Sequence, residues 1–254
     1  MADDYIVETK NLTKEFKGFV AVSDVNLKVK RHTIHALIGP NGAGKTTCFN
    51  LITKFLPLSR GTILLNGRDI TNTPPADIAR LGMVRSFQIS AVFGHLTALE
   101  NVRVALQRKL GTSFHFWKSD RSLAKLDDRA EQLLDDVGVL EYRDTPAGEL
   151  SYGRKRALEI ATTLALDPEM LLLDEPMAGM GTEDVARTAQ LIRRVSKDRT
   201  ILMVEHNLSV VADLSDTITV LKLGKVLAEG PYGEISQNPE VIEAYMGHGV
   251  GGHA

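Results

Sequence analysis

The sequence predicts an α/β fold built on a parallel sheet. Two short, continuously apolar runs, Met170–Leu173 and Ile201–Val204, flank a helical segment at Thr182–Val195. Such runs suit strands that are buried on both faces, and the order strand, helix, strand is typical of parallel sheets. A third apolar run, Thr33–Ile38, leads through a glycine-rich loop into a helix-compatible segment, Thr46–Phe55, which indicates another strand–helix unit.

The N-terminal part of the chain is predicted to contain further strands. Tyr5–Thr9 and Val20–Val29 alternate β-branched and other apolar residues with polar ones, the period of a strand with one buried face. Gly61–Leu65 is followed by Asn66-Gly67, a pair that favours positive φ in a tight turn. We therefore expect a strand that enters a hairpin at this point.

The middle of the chain is predicted to be helical. Leu99–Leu110 and Leu123–Val137 carry apolar residues at helical spacing. The stripe of the second helix is predicted to be a packing face and consists of Leu126, Ala130, Leu133, Leu134 and Val137. Arg154–Ala165 is predicted to be another helix, with Arg154-Lys155-Arg156 on its solvated face.

Composition excludes several functional classes. Thirty basic residues against 32 acidic ones give a net charge of -2, and this balance gives no electrostatic reason to expect binding to nucleic acid. The single cysteine, Cys48, excludes an internal disulfide framework and a multi-cysteine zinc site, and we expect it to be a small buried residue in a reducing, cytoplasmic protein. The sequence shows no signal-peptide pattern, and its longest apolar runs are far below the roughly 20 residues of a spanning helix. Work at a membrane would therefore require a partner.

A phosphate-binding loop is predicted at Gly39–Thr46, which matches G-x-x-x-x-G-K-[ST]. Glycines lack a Cβ and allow backbone N–H groups to approach a phosphate closely, and the following helix adds the positive end of its dipole. Lys45 is expected to reach the β- and γ-phosphates, and the Thr46 hydroxyl to bind Mg²⁺. The sequence thus predicts a site for a nucleoside triphosphate.

An acidic pair is predicted to complete this site. Met170–Leu173 ends in Asp174 and Glu175, the Walker B pattern. Asp174 is expected to hold Mg²⁺, and Glu175 is placed to polarise the attacking water. Two acids that simply leave a buried strand for solvent are the alternative, and the phosphate loop upstream favours the catalytic interpretation.

The chain from about Tyr5 to Gly247 resembles the ATP-binding subunits of ABC transporters. Leu150–Gly153 (Leu-Ser-Tyr-Gly), just before the Walker B strand, is similar to the signature of that family, Leu-Ser-Gly-Gly-Gln. The resemblance implies a P-loop NTPase fold with a RecA-like core, an N-terminal antiparallel β subdomain and an α-helical subdomain inserted at about 89–165. It implies a single domain over 1–247. The glycine-rich tail at 248–254 is predicted from its composition to be disordered.

The resemblance also implies roles for individual residues. Catalysis would involve Glu175, His206, Gln88 and Lys45. The nucleotide would be bound by Phe16, Gly39, Asn41, Gly42, Ala43, Gly44, Lys45, Thr46, Thr47, Ser151 and Gly153. Mg²⁺ would be held by Thr46, Gln88 and Asp174. Phe16 would stack on adenine, with Phe19 as the competing candidate, and Ser151 is both a helix N-cap and a contact to the nucleotide of the opposite subunit.

Three positions depart from the family pattern. Tyr152 and Arg154 replace the glycine and glutamine of the signature, and Gly181 stands where many relatives place an aspartate. ATPases for branched-chain amino acids often carry an aromatic residue at the position of Tyr152. The departures bear on contacts between the two ATPase subunits.

A finer resemblance, carried by 83–88, 96–102 and 238–247, points to importers of branched-chain amino acids. It implies ATP and Mg²⁺ as cofactors, a second identical or paralogous ATPase subunit, transmembrane permease subunits and, indirectly, a periplasmic substrate-binding protein. The chain would lie on the cytoplasmic side of the inner membrane. Ile89–Val104 is predicted to contact the permease because it follows Gln88 and carries apolar residues, and an ordinary buried helical lobe is the alternative. Phe114, Phe116 and Trp117 are predicted to lie against the permease or the lipid headgroups, with packing inside the protein as the alternative.

Other assignments remain open at this point. A urea or amide importer and a lipopolysaccharide exporter share parts of the pattern. A soluble ABC ATPase of DNA repair or translation is disfavoured because such relatives usually carry coiled coils, zinc-binding cysteines or tandem cassettes. A GTPase or nucleotide kinase would share the phosphate loop but would not explain Leu150–Gly153 and His206.

Overall fold

The structure is a computed structural model that describes residues 4–86, 92–109 and 120–246, without the side chains of 108–109 and 120–125. The chain forms two compact units. The first comprises Met1–Met83, Glu169–Pro176 and Val195–Ala254, and the second comprises Val84–Pro168 and Met177–Arg194. Within the described ranges, no helix is both long and apolar enough to cross a bilayer. Gln88, the aromatic residues at 114–117 and the predicted tail at 248–254 lie outside the described residues.

Strands and helices follow one another along the described residues. The strands are β1 (Tyr5–Phe16), β2 (Phe19–Val25), β3 (Lys28–Lys30), β4 (Ile34–Ile38), β5 (Arg60–Leu65), β6 (Arg68–Asp69), β7 (Met83–Arg85), β8 (Met170–Asp174), β9 (Thr200–Val204), β10 (Thr217–Lys222) and β11 (Lys225–Gly230). The α-helices are α1 (Lys45–Ile52), α2 (Pro75–Arg80), α3 (Ala98–Lys109), α4 (Asp120–Asp136), α5 (Tyr152–Leu164), α6 (Thr182–Val195), α7 (Leu208–Leu214), α8 (Tyr232–Ile235) and α9 (Pro239–Met246). Short 3-10 turns lie at Leu140–Tyr142 and Ala147–Glu149.

An antiparallel sheet in the first unit has the order β2-β1-β5-β6, with β3 also paired to β1. The hairpin between β5 and β6 turns at Asn66 and Gly67, whose φ angles of 52° and 73° confirm the predicted turn. The single strand predicted at Val20–Val29 is wrong, because the chain breaks into β2 and β3. Asp24 takes a left-handed φ of 52°, and the side-chain amide of Asn26 donates to the backbone carbonyl oxygen of Asp24 at 2.9 Å.

The predicted parallel sheet is confirmed. Its strand order is β11-β10-β4-β9-β8-β7, with β10, β4, β9 and β8 parallel to one another and β11 antiparallel at one edge. Every residue of β4 and β9 is buried, as expected for strands covered on both faces. Leu37 of β4 and Asp174 of β8 are both paired with Val204 of β9. The carboxyl ends of three neighbouring strands are therefore level.

Helices dominate the second unit. The predicted stripe of α4 is confirmed as a packing face, since Ala130, Leu133 and Leu134 are buried. The solvated face predicted for Arg154–Arg156 is wrong for Arg156, which is buried and donates to Glu159 at 2.6 Å, one turn further along α5. Burial raises the pKa of Glu159, and the guanidinium of Arg156 opposes this change.

Buried titratable groups also occur in the first unit. Cys48 on α1 is fully buried, and burial raises the pKa of its thiol to about 12, which confirms the expectation of a structural cysteine. His35 on β4 is buried as well, with Nε2 2.8 Å from the Thr219 hydroxyl oxygen. The Thr219 hydroxyl donates to Glu229 at 2.6 Å, so the ring nitrogen of His35 must be the donor. Burial lowers the pKa of His35 to about 4, so the imidazole is neutral at pH 7.

This burial predicts a pH-dependent stability. The pKa of His35 is lowered from 6.5 to about 4 in the folded chain, so only the unfolded chain binds this proton between those values. Stability is therefore fully present above the unfolded pKa and falls as the pH drops towards 4. We expect His35 to account for a loss of about 2 kcal/mol in the free energy of unfolding between about pH 7.5 and pH 5.

The measurement is urea unfolding of the wild type and of His35→Gln at both pH values. Glutamine donates a hydrogen bond but does not titrate, so the variant should lose less stability on acidification. An equal loss in the two proteins would contradict the assignment to His35.

Candidate active site

The site lies at the carboxyl edge of the parallel sheet, where β4, β9 and β8 end level. β4 continues into the predicted phosphate loop, β8 ends in Asp174 and is followed by Glu175, and β9 is followed by Glu205 and His206. The carboxyl edge of an open α/β sheet is the usual position of a ligand site. The sheet thus brings the predicted loop, acids and histidine to one place.

Two glycines allow the loop to pack closely against neighbouring backbone. At Gly39 (φ 148°), an added Cβ would lie 2.2 Å from the carbonyl oxygen of Leu221. At Gly44 (φ 97°), it would lie 2.6 Å from the carbonyl oxygen of Ala21. No side chain other than glycine fits either position. The loop is therefore held between β2 and β10, and a hydrogen bond from the Gly224 amide to the Ala43 carbonyl (2.9 Å) fixes its middle.

Lys45 is the first residue of α1, and its ammonium group returns to the loop. Nζ donates to the carbonyl oxygens of Gly39 (2.7 Å) and Pro40 (3.1 Å), and the residue is buried. Burial lowers the pKa of Lys45, while the carboxylate of Glu175 opposes the change. The positive charge is thus concentrated inside the loop and close to Glu175.

The remaining loop residues leave the N-terminus of α1 accessible. Asn41, Gly42 and Thr46 are exposed, and Thr47 is half-buried. The helix begins after Gly44 with no side-chain cap and no acidic residue in its first turn. Its first N–H groups and dipole therefore face an environment suited to an anion.

Glu175 and His206 face each other beyond the strand ends. Glu175 Oε1 lies 3.9 Å from Nδ1 of His206. Glu175 has a left-handed φ of 44°, and its amide donates to the Val204 carbonyl at 2.9 Å. A left-handed conformation is unfavourable for a residue with a Cβ, and such strain is common at functional sites. The chain holds this carboxylate at the site in spite of the strain.

Glu205 belongs to the same edge and was not among the predicted site residues. Its side chain is fully buried, and Oε2 accepts hydrogen bonds from the amides of His206 (3.0 Å) and Asn207 (3.1 Å). An acidic residue placed directly after a buried strand is the sequence signal for it, but Asp174 and Glu175 share that signal. Only the structure distinguishes a buried acceptor from an acid at the site.

The predicted aromatic residues lie on a neighbouring hairpin. Phe16 and Phe19 are paired across the turn from β1 to β2 and are 43% and 69% exposed. The Lys14 ammonium lies 5.0 Å from the Phe16 ring centroid. Ala21 of the same β2 strand contacts the loop at Gly44. Both rings are therefore available for a contact, and the exposure does not separate the two candidates.

The signature-like segment belongs to the second unit. Ser151 is exposed and occupies the N-cap position of α5, as predicted, but its hydroxyl makes no capping hydrogen bond. The Tyr152 hydroxyl donates to the Ala178 carbonyl at 2.9 Å, and the Asp184 carboxylate lies directly against Gly153. These contacts hold the first turn of α5 while the Ser151 hydroxyl keeps its hydrogen-bonding capacity.

Arg154 and Gly181, two of the positions that depart from the family pattern, also belong to the second unit. The guanidinium of Arg154 stacks over the Tyr142 ring, 3.9 Å from its centroid. An added Cβ at Gly181 would meet no atom within 4 Å. Arg154 is thus engaged within its own unit, and the backbone at Gly181 is open.

The donor set of the first unit fits Mg²⁺. Thr46 offers a hydroxyl and Asp174 a carboxylate, both hard oxygen donors of the kind that Mg²⁺ prefers. Within the described residues, no group of three or more histidine, cysteine or acidic side chains surrounds a common point.

Comparison with known families matches most of the chain. The profile of the family described as ABC transporter matches residues 22–178. A second profile, described as Branched-chain amino acid ATP-binding cassette transporter, matches residues 225–251. The second match includes β11, α8 and α9.

Similar proteins extend over nearly the whole chain. It is 40% identical over 252 residues to the high-affinity branched-chain amino acid transport ATP-binding protein BraF of Pseudomonas aeruginosa, with 95% of this chain and 98% of the relative covered. It is 39% identical over 249 residues to LivG of Escherichia coli K12, a protein of the same description, with the same two coverages. The ADP conformation of MJ1267, an ATP-binding cassette of an ABC transporter, superposes with a TM-score of 0.83 at 30% identity and covers 96% of this chain and 99% of its own.

The loop geometry predicts different costs for two glycine substitutions. Gly39→Ala places a Cβ 2.2 Å from a backbone oxygen, whereas Gly42 (φ 78°) has open space around it. We expect Gly42→Ala to lower the free energy of unfolding by about 1 kcal/mol through backbone strain alone, and Gly39→Ala to lower it by about 3 kcal/mol or more. Chemical denaturation of both variants measures the difference, and equal losses would contradict the close contact with Leu221.

Proposed function

We propose an amino-acid import function for this chain, which belongs to the family of ABC transporter ATP-binding subunits. The chain binds and hydrolyses ATP, and this reaction would drive the import of branched-chain or other amino acids across the inner membrane. The convergence of Lys45, Glu175 and His206 at the carboxyl edge of one sheet supports the ATP-hydrolysis part of this proposal, and the similarity to BraF and LivG supports the transport part.

The phosphate loop is proposed to hold the terminal phosphates of ATP. The backbone N–H groups of the loop and of α1 would bind phosphate oxygens, and Lys45 would exchange its contacts with Gly39 and Pro40 for contacts with the β- and γ-phosphates. Its burial strengthens this interaction, because charges attract more strongly away from water. Phe16 is proposed to stack on the base.

Glu175 is proposed to act as the general base. Its carboxylate would accept a proton from the water that attacks the γ-phosphate, and His206, 3.9 Å away, would contact that phosphate. Phosphoryl transfer demands positioning and charge stabilisation more than covalent chemistry from the protein. The level strand ends supply that positioning.

Thr46 and Asp174 are proposed to hold Mg²⁺, with Gln88 as a third ligand. When bound, the cation neutralises charge on the phosphate oxygens. Asp174 ends β8, so its position is fixed by the pairing with Val204. Gln88 lies outside the described residues.

A second ATPase subunit, identical or paralogous, is proposed to complete each nucleotide site. Ser151 and Gly153 would contact the γ-phosphate held by the opposite subunit. The exposed Ser151 hydroxyl supports this role, since it makes no cap to its own helix. Arg154 is stacked on Tyr142, which supports a structural role for this departure from the family signature.

Transport would require membrane partners. BraF and LivG are described as ATP-binding proteins of branched-chain amino acid transport, and the match over 225–251 carries the same description, which supports this substrate class over urea, amides or lipopolysaccharide. We propose transmembrane permease subunits as direct partners and a periplasmic substrate-binding protein as an indirect one, with the chain on the cytoplasmic face of the inner membrane. The net charge of -2 supports a function without nucleic acid.

If Glu175 is the general base, a single substitution should abolish most ATP hydrolysis while ATP binding is retained. Glu175→Gln keeps the size of the side chain but removes the base, so kcat for ATP hydrolysis should fall by about 10²-fold or more while ATP still binds. Steady-state phosphate release gives kcat, and equilibrium fluorescence titration gives the Kd for ATP. Glu240→Gln, an exposed acid on α9, is the matched control and should retain both values. Normal turnover in Glu175→Gln would exclude Glu175 as the base.

The import function predicts that substrate controls hydrolysis in the assembled transporter. The chain would be co-purified with candidate permease subunits and reconstituted in vesicles with their substrate-binding protein. We expect leucine, isoleucine or valine to stimulate ATP hydrolysis and to accumulate inside the vesicles. Stimulation by urea or an amide alone, or by DNA, would contradict the proposed substrate class.

A further inference from the structure

Glu205 is a fully buried carboxylate at the edge of the candidate active site. It directly follows β9, and its side chain has no exposed surface. One oxygen, Oε2, accepts hydrogen bonds from two successive backbone amides, those of His206 at 3.0 Å and Asn207 at 3.1 Å. A buried carboxylate is costly unless it is hydrogen-bonded in this way. The arrangement therefore ties the backbone after β9 to one fixed point.

Glu205 fixes the backbone of the turn that carries His206. The Asn207 side chain caps the following helix, α7, by accepting from the amides of Ser209 (3.2 Å) and Val210 (3.3 Å). The His206 imidazole is 61% exposed. The path of the backbone consequently determines where the ring can reach.

The Glu205 carboxylate itself is not placed to contact substrate. It has no solvent-exposed surface, whereas the side chain of Glu175 is about half exposed. Its Oε2 lies 4.0 Å from Nδ1 of His206, too far for a direct hydrogen bond to the ring. Its influence on the histidine therefore passes through the backbone amides.

We infer that Glu205 is a positioning residue for His206 and acts as a hydrogen-bond acceptor rather than as a charge or a proton donor. The inference rests on the proposed function, in which His206 contacts the γ-phosphate. It assigns to the buried acid the task of holding the turn so that the imidazole meets the phosphate. A small displacement of a positioned catalytic group lowers the rate of the chemical step more than it weakens substrate binding.

Two substitutions distinguish the effect of the hydrogen-bond acceptor of Glu205 from the effect of its negative charge. Glu205→Gln removes the charge but keeps a carbonyl oxygen at the position of Oε2, which can accept both amides. Glu205→Asp keeps the charge but withdraws the oxygens by one methylene group. We expect Glu205→Gln to retain kcat within about threefold, and Glu205→Asp to lose about tenfold or more in kcat with little change in the KM for ATP. A large loss in Glu205→Gln would overturn the inference, even if Glu205→Asp does not fold.

A double variant tests whether the effect passes through His206. If Glu205 acts by positioning the imidazole, Glu205→Asp combined with His206→Ala should hydrolyse ATP no more slowly than His206→Ala alone. Losses that multiply in the double variant would show an independent structural effect and would overturn the inference.

Asn207→Ala is the matched control for weakening of α7, the helix that follows the turn. It removes the cap of α7 and leaves the acceptor of Glu205 and both backbone amides in place. We expect a lower melting temperature with kcat within about threefold of the wild type. A tenfold loss of kcat in Asn207→Ala would overturn the inference, because any loosening beside the turn would then suffice. The wild-type protein is measured first in this series. If it did not hydrolyse ATP, that result would contradict the proposed function rather than the role of Glu205.

Discussion

The candidate active site depends on the register of three neighbouring parallel strands. Leu37 and Asp174 are both paired with Val204, so β4, β9 and β8 end at the same level. Adjacent strands lie about 4.8 Å apart, which sets the phosphate loop and the acidic pair about 10 Å apart across the end of β9. A shift of register in any one strand would move a loop, an acid or a histidine away from the others, although no site residue itself would change.

Several groups at this edge are held in conditions that are unfavourable for them individually. The Lys45 ammonium is buried, Glu175 takes a left-handed backbone conformation, and Glu205 is a carboxylate without solvent. Each is compensated locally: Lys45 by two carbonyl oxygens that accept from it, Glu175 by a hydrogen bond from its backbone amide to the Val204 carbonyl oxygen, and Glu205 by two amides that donate to it. The buried apolar strands that lead to this edge stabilise the fold and offset the cost of these unfavourable groups.

The sequence predicts most of this architecture because its strongest signals are local. Continuous apolar runs identify β4, β8 and β9, and the glycine spacing identifies the phosphate loop. The break between β2 and β3 escaped this reasoning, since Val20–Val29 keeps an apolar alternation while Asp24 and Asn26 turn the backbone. The burial of Arg156 escaped it too, because a charged triplet shows nothing about the helices packed around it. Glu205 required knowledge of which amides lie beside an acid, and that depends on the folded turn.

Cys48 has a practical consequence. The only thiol of the chain is enclosed in the core of the first unit, and burial raises its pKa to about 12, so it carries almost no thiolate at neutral pH. Maleimide and methanethiosulfonate reagents react with thiolates, and they should leave it untouched in the native state. A fluorophore or spin label attached to a cysteine introduced at an exposed residue would then be the sole reporter. The natural background is therefore already suited to spectroscopic distance measurements of the catalytic cycle, with no need to replace Cys48.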